Sequence, residues 1–317
     1  MCSPQTVLAA LDGAPPDDDP LCGHPAPAAQ AAPTTVPVTS ETVAPRTNRR
    51  HALRAALGAA LGVAGTVTLA GTASAAPTAT DLRNHLSYRR ITDLTHTLSP
   101  DFPVFEFFVR RPEVQQVRFL DQHGFNTAEW RFNEHTGTHI DVPAHAQNGH
   151  LTVDELPVEN FVAPLCVMRI AERVERDFTT ELTVTDIREW ERRNGRIPRR
   201  AFIASDAGWY HRVNVPNAFL NLDTAAGTLS FPGISPEAAD FLLTQRDIVG
   251  FGTDTISLDV STRLFPLVHR MLLTTGRYGL ECLANLDQVP DRGATMVVGA
   301  PKLRGGFGAP VRVLALF

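Results

Sequence analysis

The decisive stretch of the sequence is His135-Thr-Gly-Thr-His139-Ile-Asp141-Val-Pro-Ala-His145, which holds three histidines and one aspartate. Neutral imidazole and carboxylate groups are ligands that zinc, manganese and similar divalent ions accept. On an extended chain, His139 and Asp141 point to the same side because they are two residues apart. Gly137 and its threonine neighbours favour a turn over a helix, so His135 can be brought to the same ion. The stretch therefore predicts a divalent metal site.

The last histidine of the stretch is set apart from the others by a proline. Pro143 ends the strand and redirects the backbone, which allows His145 to return to the site. His145 is then either a further metal ligand, a residue behind the ligands, or a proton donor and acceptor, and its spacing leaves these alternatives open. The competing hypothesis for the whole stretch is a turn with satisfied polar side chains. Three histidines and an aspartate at this spacing favour the metal site.

The bulk composition is that of a soluble globular protein and argues against nucleic acid as a binding partner. Of 317 residues, 43% are hydrophobic and 20% are charged, and the formal net charge is -5 without a strongly basic block. Nucleic-acid binding is therefore not expected. No cysteine pair has the C-x-x-C spacing of a thiolate zinc site. Cys166 and Cys282 lie in apolar runs and are expected to be buried free thiols, with a disulfide between them left open.

The first 75 residues are predicted to be a leader rather than part of the fold. Residues 1–48 are rich in Ala, Pro, Thr and Asp without periodicity, which is typical of a disordered extension. Residues 49–75 combine Arg49 and Arg50, a weakly hydrophobic run, and Ala73-Ser-Ala75 as a cleavage site. This pattern is typical of a twin-arginine signal peptide, and we expect export by that route. The alternative is a single membrane anchor, for which the run is slightly short and heavy in Gly and Thr.

Residues 76–317 are expected to form one α/β catalytic domain, with no membrane contact after signal cleavage. Apolar patterning predicts strands and helices along this part of the chain. The predicted strands are 91–98, 114–120, 128–132, 201–204, 248–251, 279–286, 295–298 and 311–316. The predicted helices are 185–194, a helix that begins after Ser235 as N-cap, and 266–273.

The metal stretch also resembles the signature of the cyclase family, which includes bacterial kynurenine formamidases and isatin hydrolases. Four further segments resemble family motifs, so the resemblance covers nearly the whole predicted mature chain: 93–98 (DLTHTL), 232–239 (PGISPEAA), 252–259 (GTDTISLD) and 308–312 (GAPVR). The resemblance implies a swivelling β/β/α domain. It also implies assembly as a homodimer or a larger homo-oligomer.

The resemblance further implies two divalent ions, zinc or manganese, in each subunit. His135, His139 and Asp141 would bind one ion, and Asp141 would bridge to a second ion held by His269 and Glu281. On the sequence alone, His269 could equally be a capped surface histidine, and Glu281 could be a solvent-facing strand carboxylate. Asp254 and Asp259 are expected to hold backbone groups rather than a metal.

The family pattern assigns His145 as the proton donor and acceptor. Formamidases of the family have a substrate-contacting Trp where this chain has Phe105, which puts an aryl-formamide substrate in doubt. Trp209 follows a buried strand and is predicted to wall the substrate pocket, with aromatic core packing as the alternative. His96 lies on the opening strand, with a pocket-lining role and a structural role left open.

The implied function is that of a metal-dependent hydrolase of the kynurenine formamidase type, an arylformamidase-like enzyme. It would act on an amide, formamide or small cyclic amide through a metal-bound hydroxide, because a divalent metal lowers the pKa of bound water to about 7. Two such ions with Asp141, Glu281 and a bridging hydroxide would leave a net positive charge, which favours an oxyanion. The alternatives are a metal-dependent cyclase or dehydratase of a small carbonyl metabolite, and a non-catalytic exported metal-binding protein. A complete ligand set beside His145 favours an enzyme.

Overall fold

A nine-stranded mixed sheet organises the chain in the computed structural model, which describes residues 88–317. The predicted extension (1–48) and signal peptide (49–75) lie outside the described residues, as do the first residues of the predicted domain. None of the helices in residues 88–317 is both long and apolar enough to cross a membrane.

Strands predominate over helices in residues 88–317. The strands are β1 (Ile91–Asp93), β2 (Glu113–Arg118), β3 (Thr127–Arg131), β4 (His139–Asp141), β5 (Val162–Arg169), β6 (Glu181–Leu182), β7 (Ala201–Asp206), β8 (Leu222–Asp223), β9 (Thr228–Leu229), β10 (Gly233–Ile234), β11 (Ile248–Thr253), β12 (Tyr278–Glu281), β13 (Ala294–Gly299), β14 (Gly308–Pro310) and β15 (Arg312–Leu316). The α-helices are α1 (Leu120–His123), α2 (Pro143–Ala146), α3 (Ala171–Val174), α4 (Val184–Asn194), α5 (Pro236–Gln245) and α6 (Leu267–Leu273). Short 3-10 helices cover Val158–Phe161, Trp209–Arg212 and Leu286–Gln288.

The large sheet has the strand order β1-β15-β13-β5-β7-β11-β12-β4-β14. Its middle strands β5, β7, β11 and β12 are parallel, and the strands on both sides are antiparallel. Parallel neighbours need long crossovers, which α4 and α5 occupy between successive strands. The predicted α/β class is confirmed in this mixed form.

Two apolar cores cover the two faces of the sheet. In β5, Cys166 and Met168 face one core, and Leu165 and Val167 face the other, as expected for alternating side chains. The first core also holds the buried sides of α4, α5 and α6. Three helices therefore close one face, while the second core is built mainly from strands and loops.

Most predicted elements are confirmed, with shifts that have local causes. Helix α4 begins after Thr183, whose side chain accepts from Asp186 N in a capping box, and the helix ends before Gly195 at φ 80°. Ser235 caps α5 by accepting from Ala238 N at 3.1 Å. Cys166 is free and buried as predicted, and so is Cys282.

Two predicted strands are wrong in length. The strand predicted over 91–98 ends at Asp93, and Thr95 makes only an isolated bridge to Leu283. The strand predicted over 279–286 ends at Glu281, because Cys282 has a φ of 53°, in the left-handed region. The chain turns at that point, directly beside the predicted ligand Glu281.

Candidate active site

The pairing of β4 with β12 brings the predicted ligands together. In the antiparallel register, His139 lies opposite Glu281 and Asp141 lies opposite Gly279. Directly opposite residues project from the same face with their Cβ atoms about 5 Å apart. Glu281 therefore reaches the metal stretch although it lies far along the chain, and all three side chains are buried.

The turn before β4 positions His139. Gly137 has a φ of 69°, which a residue without a Cβ adopts at no steric cost. Its carbonyl oxygen lies 2.9 Å from Nδ1 of His139. Because a carbonyl oxygen can only accept, Nδ1 carries the proton, and the lone pair of neutral His139 is on Nε2, which faces the carboxylates.

Asp141 stands between two groups of histidines. Its Oδ1 lies 2.7 Å from Nδ1 of His135 and 3.5 Å from Nε2 of His139. Its Oδ2 lies 3.4 Å from Nε2 of His269 on the other side. The two oxygens of this fully buried carboxylate therefore face different histidines, which is the arrangement that the predicted bridging role requires.

His269 is held in place by Asp259. The Asp259 carboxylate accepts from the backbone N–H of Val268 at 2.7 Å and from Nδ1 of His269 at 2.6 Å, at the start of α6. The other ring nitrogen, Nε2, lies 2.6 Å from Oε1 of Glu281. Asp259 therefore holds backbone groups, as predicted, and also orients a predicted ligand in the way that carboxylates orient metal-binding histidines.

The alternative predictions, that His269 is a surface histidine and that Glu281 faces solvent, are both wrong. His269 is 2% exposed and Glu281 is 1% exposed, so neither is a solvent-facing side chain. The Glu281 carboxylate also accepts from the backbone N–H of Leu258 at 2.9 Å, which fixes its position.

The polar atoms of this cluster fit a divalent cation. Oδ2 of Asp141 and Nε2 of His269 are buried without a hydrogen bond of acceptable geometry, although they lie close to other polar atoms. Buried polar atoms without a hydrogen-bond partner are costly, and a bound ion removes that cost. The ligand atoms form two triads, and within each triad the atoms lie within 4.8 Å of one another: His135, Asp141 and His145 in one, and His139, Asp141 and Glu281 in the other. This grouping shares Asp141 as predicted but places His139 with Glu281 and not with His135.

The buried carboxylates of the cluster also favour positive charge beside them. Burial by itself lowers the pKa of His139, and likewise of His269, but the neighbouring carboxylates outweigh burial and raise both pKa values well above the ordinary range. Burial by itself raises the pKa of Asp141, yet the nearby histidines hold it well below its usual value. Without a metal, protons on the histidines neutralise the negative charge of the buried carboxylates. A divalent cation would supply that positive charge instead.

His145 sits at the edge of the cluster on the short helix α2. Its ring centroid is 4.0 Å from that of His135 and 6.4 Å from that of His269. Burial lowers the pKa of His145 to about 4; the Asp141 carboxylate acts against this shift, and the neighbouring His135 and His269 act with it. The imidazole is therefore neutral at pH 7. Its position suits both a ligand and a proton carrier.

A cavity of about 320 Å³ opens onto this cluster. Its polar side is lined by His135, His139, His145 and Glu281, and Asp259 also borders it. Its other walls are largely apolar and include five phenylalanines: Phe102, Phe105, Phe108, Phe231 and Phe265. Phe105 thus lies in the cavity wall, where a bound substrate would meet it. The combination of an apolar cavity with a few converging polar groups is typical of a small-molecule site.

Trp209 is not part of the cavity wall. Its side chain is fully buried in the helix-side core, and its indole N–H donates to the carbonyl of Phe219 at 2.8 Å. Arg212 covers the ring with its guanidinium carbon 4.3 Å from the centroid. Trp209 therefore packs in the core, which was the alternative to a role in the pocket wall, because its indole N–H and its ring already contact other residues.

Two other residues singled out in the sequence also lie outside the cavity wall. Asp254 is buried and accepts from the backbone N–H groups of Ala207 and Trp209, as expected for a residue that holds backbone. His96 lies among the rings of Phe102, Tyr210 and Phe219 and is not among the cavity-lining residues. Burial lowers the pKa of His96 to about 4.

Comparison with known proteins decides the family. The model of the Cyclase family, described as "Putative cyclase", matches residues 92–260, which is more than half of the chain. The chain belongs to the cyclase family. The match includes the metal stretch 135–145 and the segment 252–259 that holds Asp259.

Relatives of this cyclase-family chain include hydrolases. An isatin hydrolase of Roseibium aggregatum is 32% identical over 71% of this chain and 91% of its own length. A kynurenine formamidase of Salinibacter ruber is 25% identical over 71% of this chain and 96% of its own length. The solved isatin hydrolase A of Labrenzia aggregata, bound to benzyl benzoate, is 37% identical and covers 72% of this chain and 93% of its own, with a TM-score of 0.67. These similarities place the chain among hydrolases.

Some cavity residues of this cyclase-family chain were missed from the sequence. Phe102 and Phe108 come from the segment after β1, and Arg263 and Phe265 come from the loop before α6. Residues in loops carry no periodicity that distinguishes a pocket wall from a core. A usable signal was their position, since these loops immediately precede or follow segments that resemble family motifs.

Proposed function

We propose that this protein is a metal-dependent hydrolase that opens the amide bond of a small aromatic cyclic amide of the isatin type. The observation that carries the proposal is the buried histidine–carboxylate cluster with unsatisfied donor atoms at one end of an apolar, phenylalanine-lined cavity. The sequence identity to isatin hydrolases supports a cyclic amide as the substrate class. Phe105 in place of the formamidase Trp makes an aryl formamide the second choice, supported by the more distant kynurenine formamidase.

The cluster would hold divalent metal, zinc or manganese, at two neighbouring positions that share Asp141. His135, bordered by His145, would serve one position, and His139 and Glu281, with His269 beside Glu281, would serve the other. A divalent cation supplies Lewis acidity, which lowers the pKa of water and polarises a carbonyl group. The donor set of imidazole and carboxylate is one that both proposed metals accept.

The residues of the chain would divide the remaining work. The phenylalanines would hold the flat ring of the substrate and exclude water from its apolar face, which fixes the carbonyl at the polar end. His145, neutral at pH 7, would take a proton from the attacking water and pass it to the departing amide nitrogen. An amide needs this second transfer because an amine anion is a poor leaving group. Asp259 would keep His269 oriented throughout.

The substrate test compares two compounds on one preparation. Protein with its metal content measured is assayed with isatin and with formanilide, a simple aryl formamide. We expect isatin to be hydrolysed with the higher kcat/KM, and His145→Ala to reduce turnover while His150→Ala, a matched change outside the cavity lining, leaves it unchanged. The proposal would be contradicted if metal-loaded protein hydrolysed neither compound. A preference for formanilide would move the substrate class to aryl formamides.

A further inference from the structure

The outer part of the cavity carries a single cationic side chain. Arg263, in the loop before α6, is the one lysine or arginine among the described residues that line the cavity. Its side chain is 31% exposed, whereas Glu281 in the histidine–carboxylate cluster is 1% exposed. The neighbouring wall residues Leu264 and Phe265 are exposed as well. Arg263 therefore marks the outer end of the cavity, and the cluster marks its buried end.

Glu181 holds the guanidinium of Arg263 along one edge only. Nε and Nη2 of Arg263 donate to the same carboxylate oxygen, Oε1 of Glu181, at 3.2 and 2.8 Å. A guanidinium has five N–H donors in a planar fork, and Nη1 of Arg263 makes no hydrogen bond to residues 88–317. Three N–H groups therefore remain, on Nη1 and Nη2. They lie at the end of the fork that can bind a carboxylate through two parallel hydrogen bonds.

The acids of the cavity wall leave this outer end open to an anion. Asp259 and Glu281 are the two acids among the described lining residues, and both contact His269 at the buried end. Glu181 offsets part of the positive charge of Arg263, but it is not among the lining residues. An anion that enters the cavity would therefore meet the free edge of the guanidinium and not a carboxylate.

Ser261 adds a hydroxyl donor to the same part of the wall. It lines the cavity two residues before Arg263 and is 7% exposed. Its Oγ accepts from the backbone N–H of Phe231 at 3.0 Å, which fixes the position of the oxygen. The hydroxyl hydrogen makes no hydrogen bond to residues 88–317, so it is available to an acceptor in the cavity.

We propose that Arg263 and Ser261 form an anion subsite, and that the ligand of this cavity is an aromatic ring that carries a carboxylate. The ring would lie among the phenylalanines, and the carboxylate would accept from the free edge of Arg263. Glu181 holds the guanidinium in place before the ligand arrives, which reduces the entropy lost on binding. As a statement about the substrate, the proposal rests on the proposed function: the preferred cyclic amide would carry its carboxylate on the part of the ring remote from the scissile bond.

Binding of compounds without a scissile amide tests the subsite independently of turnover. Indoles with a carboxylate at each free position of the benzene ring are titrated by calorimetry into metal-loaded protein. The matching acetylindoles, in which a methyl group replaces one carboxylate oxygen, are the uncharged controls. We expect at least one carboxylate to bind about 10-fold or more tightly than its acetyl counterpart, as a charge-assisted pair of hydrogen bonds does. The absence of such a preference at every ring position would overturn the proposal.

Three variants assign the preference to the guanidinium. Arg263→Gln should abolish it, and Arg193→Gln, the same change at an exposed arginine of α4 outside the cavity lining, should preserve it. Because Arg263→Gln leaves the Glu181 carboxylate without its partner, the double variant with Glu181→Gln removes both charges and guards against poor folding. It should lose the preference as well, with thermal unfolding measured on each variant.

A preference that persists in the folded double variant would overturn the proposal, since the metal would then hold the carboxylate. The outcome is distinguishable from a failure of the proposed function. Binding that depends on Arg263 in a protein that does not hydrolyse isatin would contradict the hydrolase and leave the subsite standing. Hydrolysis of isatin without any preference for a carboxylate would overturn the subsite alone.

Discussion

Asp141 is the residue on which both halves of the candidate metal centre depend. Its two oxygens face histidines on opposite sides, whereas His269 belongs to one side only. Asp141→Asn removes the shared negative charge, and we expect it to lose more bound metal than His269→Ala. The measurement is metal content per subunit after dialysis of both variants against the same buffer. Equal losses from the two variants would speak against a shared carboxylate.

His145 separates proton transfer from metal binding. If it carries the proton, His145→Ala should keep near-normal metal content and lose turnover by roughly 10² to 10⁴, the usual contribution of a positioned acid or base. The loss should appear in kcat and should shrink for an activated ester, whose leaving group needs no proton. If metal content and activity fall together regardless of the leaving group, His145 is a ligand instead.

At the scale of elements, the edge strand β14 sets the position of His135. Gly308 lies opposite Asp141 in the register, and a Cβ at that position would come 2.7 Å from Cε1 of His135 and 2.6 Å from the carbonyl oxygen of Ile140. Contacts this short are not tolerated, and the Ile140 carbonyl is fixed within the sheet. Any added side chain at residue 308 must therefore displace the histidine or the strand.

Gly308→Ala is accordingly predicted to weaken metal binding by about 10-fold or more, the size of effect seen when groups that orient ligands are disturbed. The matched control is Gly299→Ala in β13, where the nearest atom to an added Cβ is 3.5 Å away, an ordinary contact. Metal titration followed by calorimetry compares the two variants, and thermal unfolding shows whether each is folded. Normal metal affinity in folded Gly308→Ala would contradict this role of β14.

The elements also show what the sequence could and could not predict. Helix α4 and the cap of α5 followed from local signals, namely a capping residue, apolar periodicity and a terminal glycine. Strand β5 was not predicted, because a strand buried between two cores has no polar alternation to reveal it. The end of β12 was missed because a positive φ at Cys282 has no signature in that residue type.

At the scale of the whole molecule, the candidate site could be predicted only where its residues are close in sequence. The spacing within 135–145 was enough to predict that His135 and His139 both approach Asp141, although not that they do so in separate triads. The approach of Glu281 to His139 depends on the register between β4 and β12, which are separated by more than a hundred residues of chain. Family resemblance supplied that pair where spacing could not. The prediction that Trp209 lines the pocket failed for a different reason. An aromatic residue after a buried strand can pack in the core or line a pocket, and the sequence does not distinguish the two.

The predicted export by a twin-arginine route concerns residues outside those described. A receptor for twin-arginine signals reads the guanidinium pair rather than charge alone. Replacement of both Arg49 and Arg50 by Lys should therefore retain the protein in the cytoplasm, as measured by fractionation of producing cells. Unchanged secretion of the double variant would indicate the general secretory route.

The central claim is that hydrolysis depends on divalent metal held by the buried cluster around Asp141. The most direct measurement removes the metal with a chelator, determines the residual metal by elemental analysis, and then titrates zinc or manganese back while isatin hydrolysis is followed. The account predicts that activity disappears with the metal and returns in proportion to the occupancy of the site. It would be contradicted by protein shown to be free of metal that hydrolyses isatin at the untreated rate.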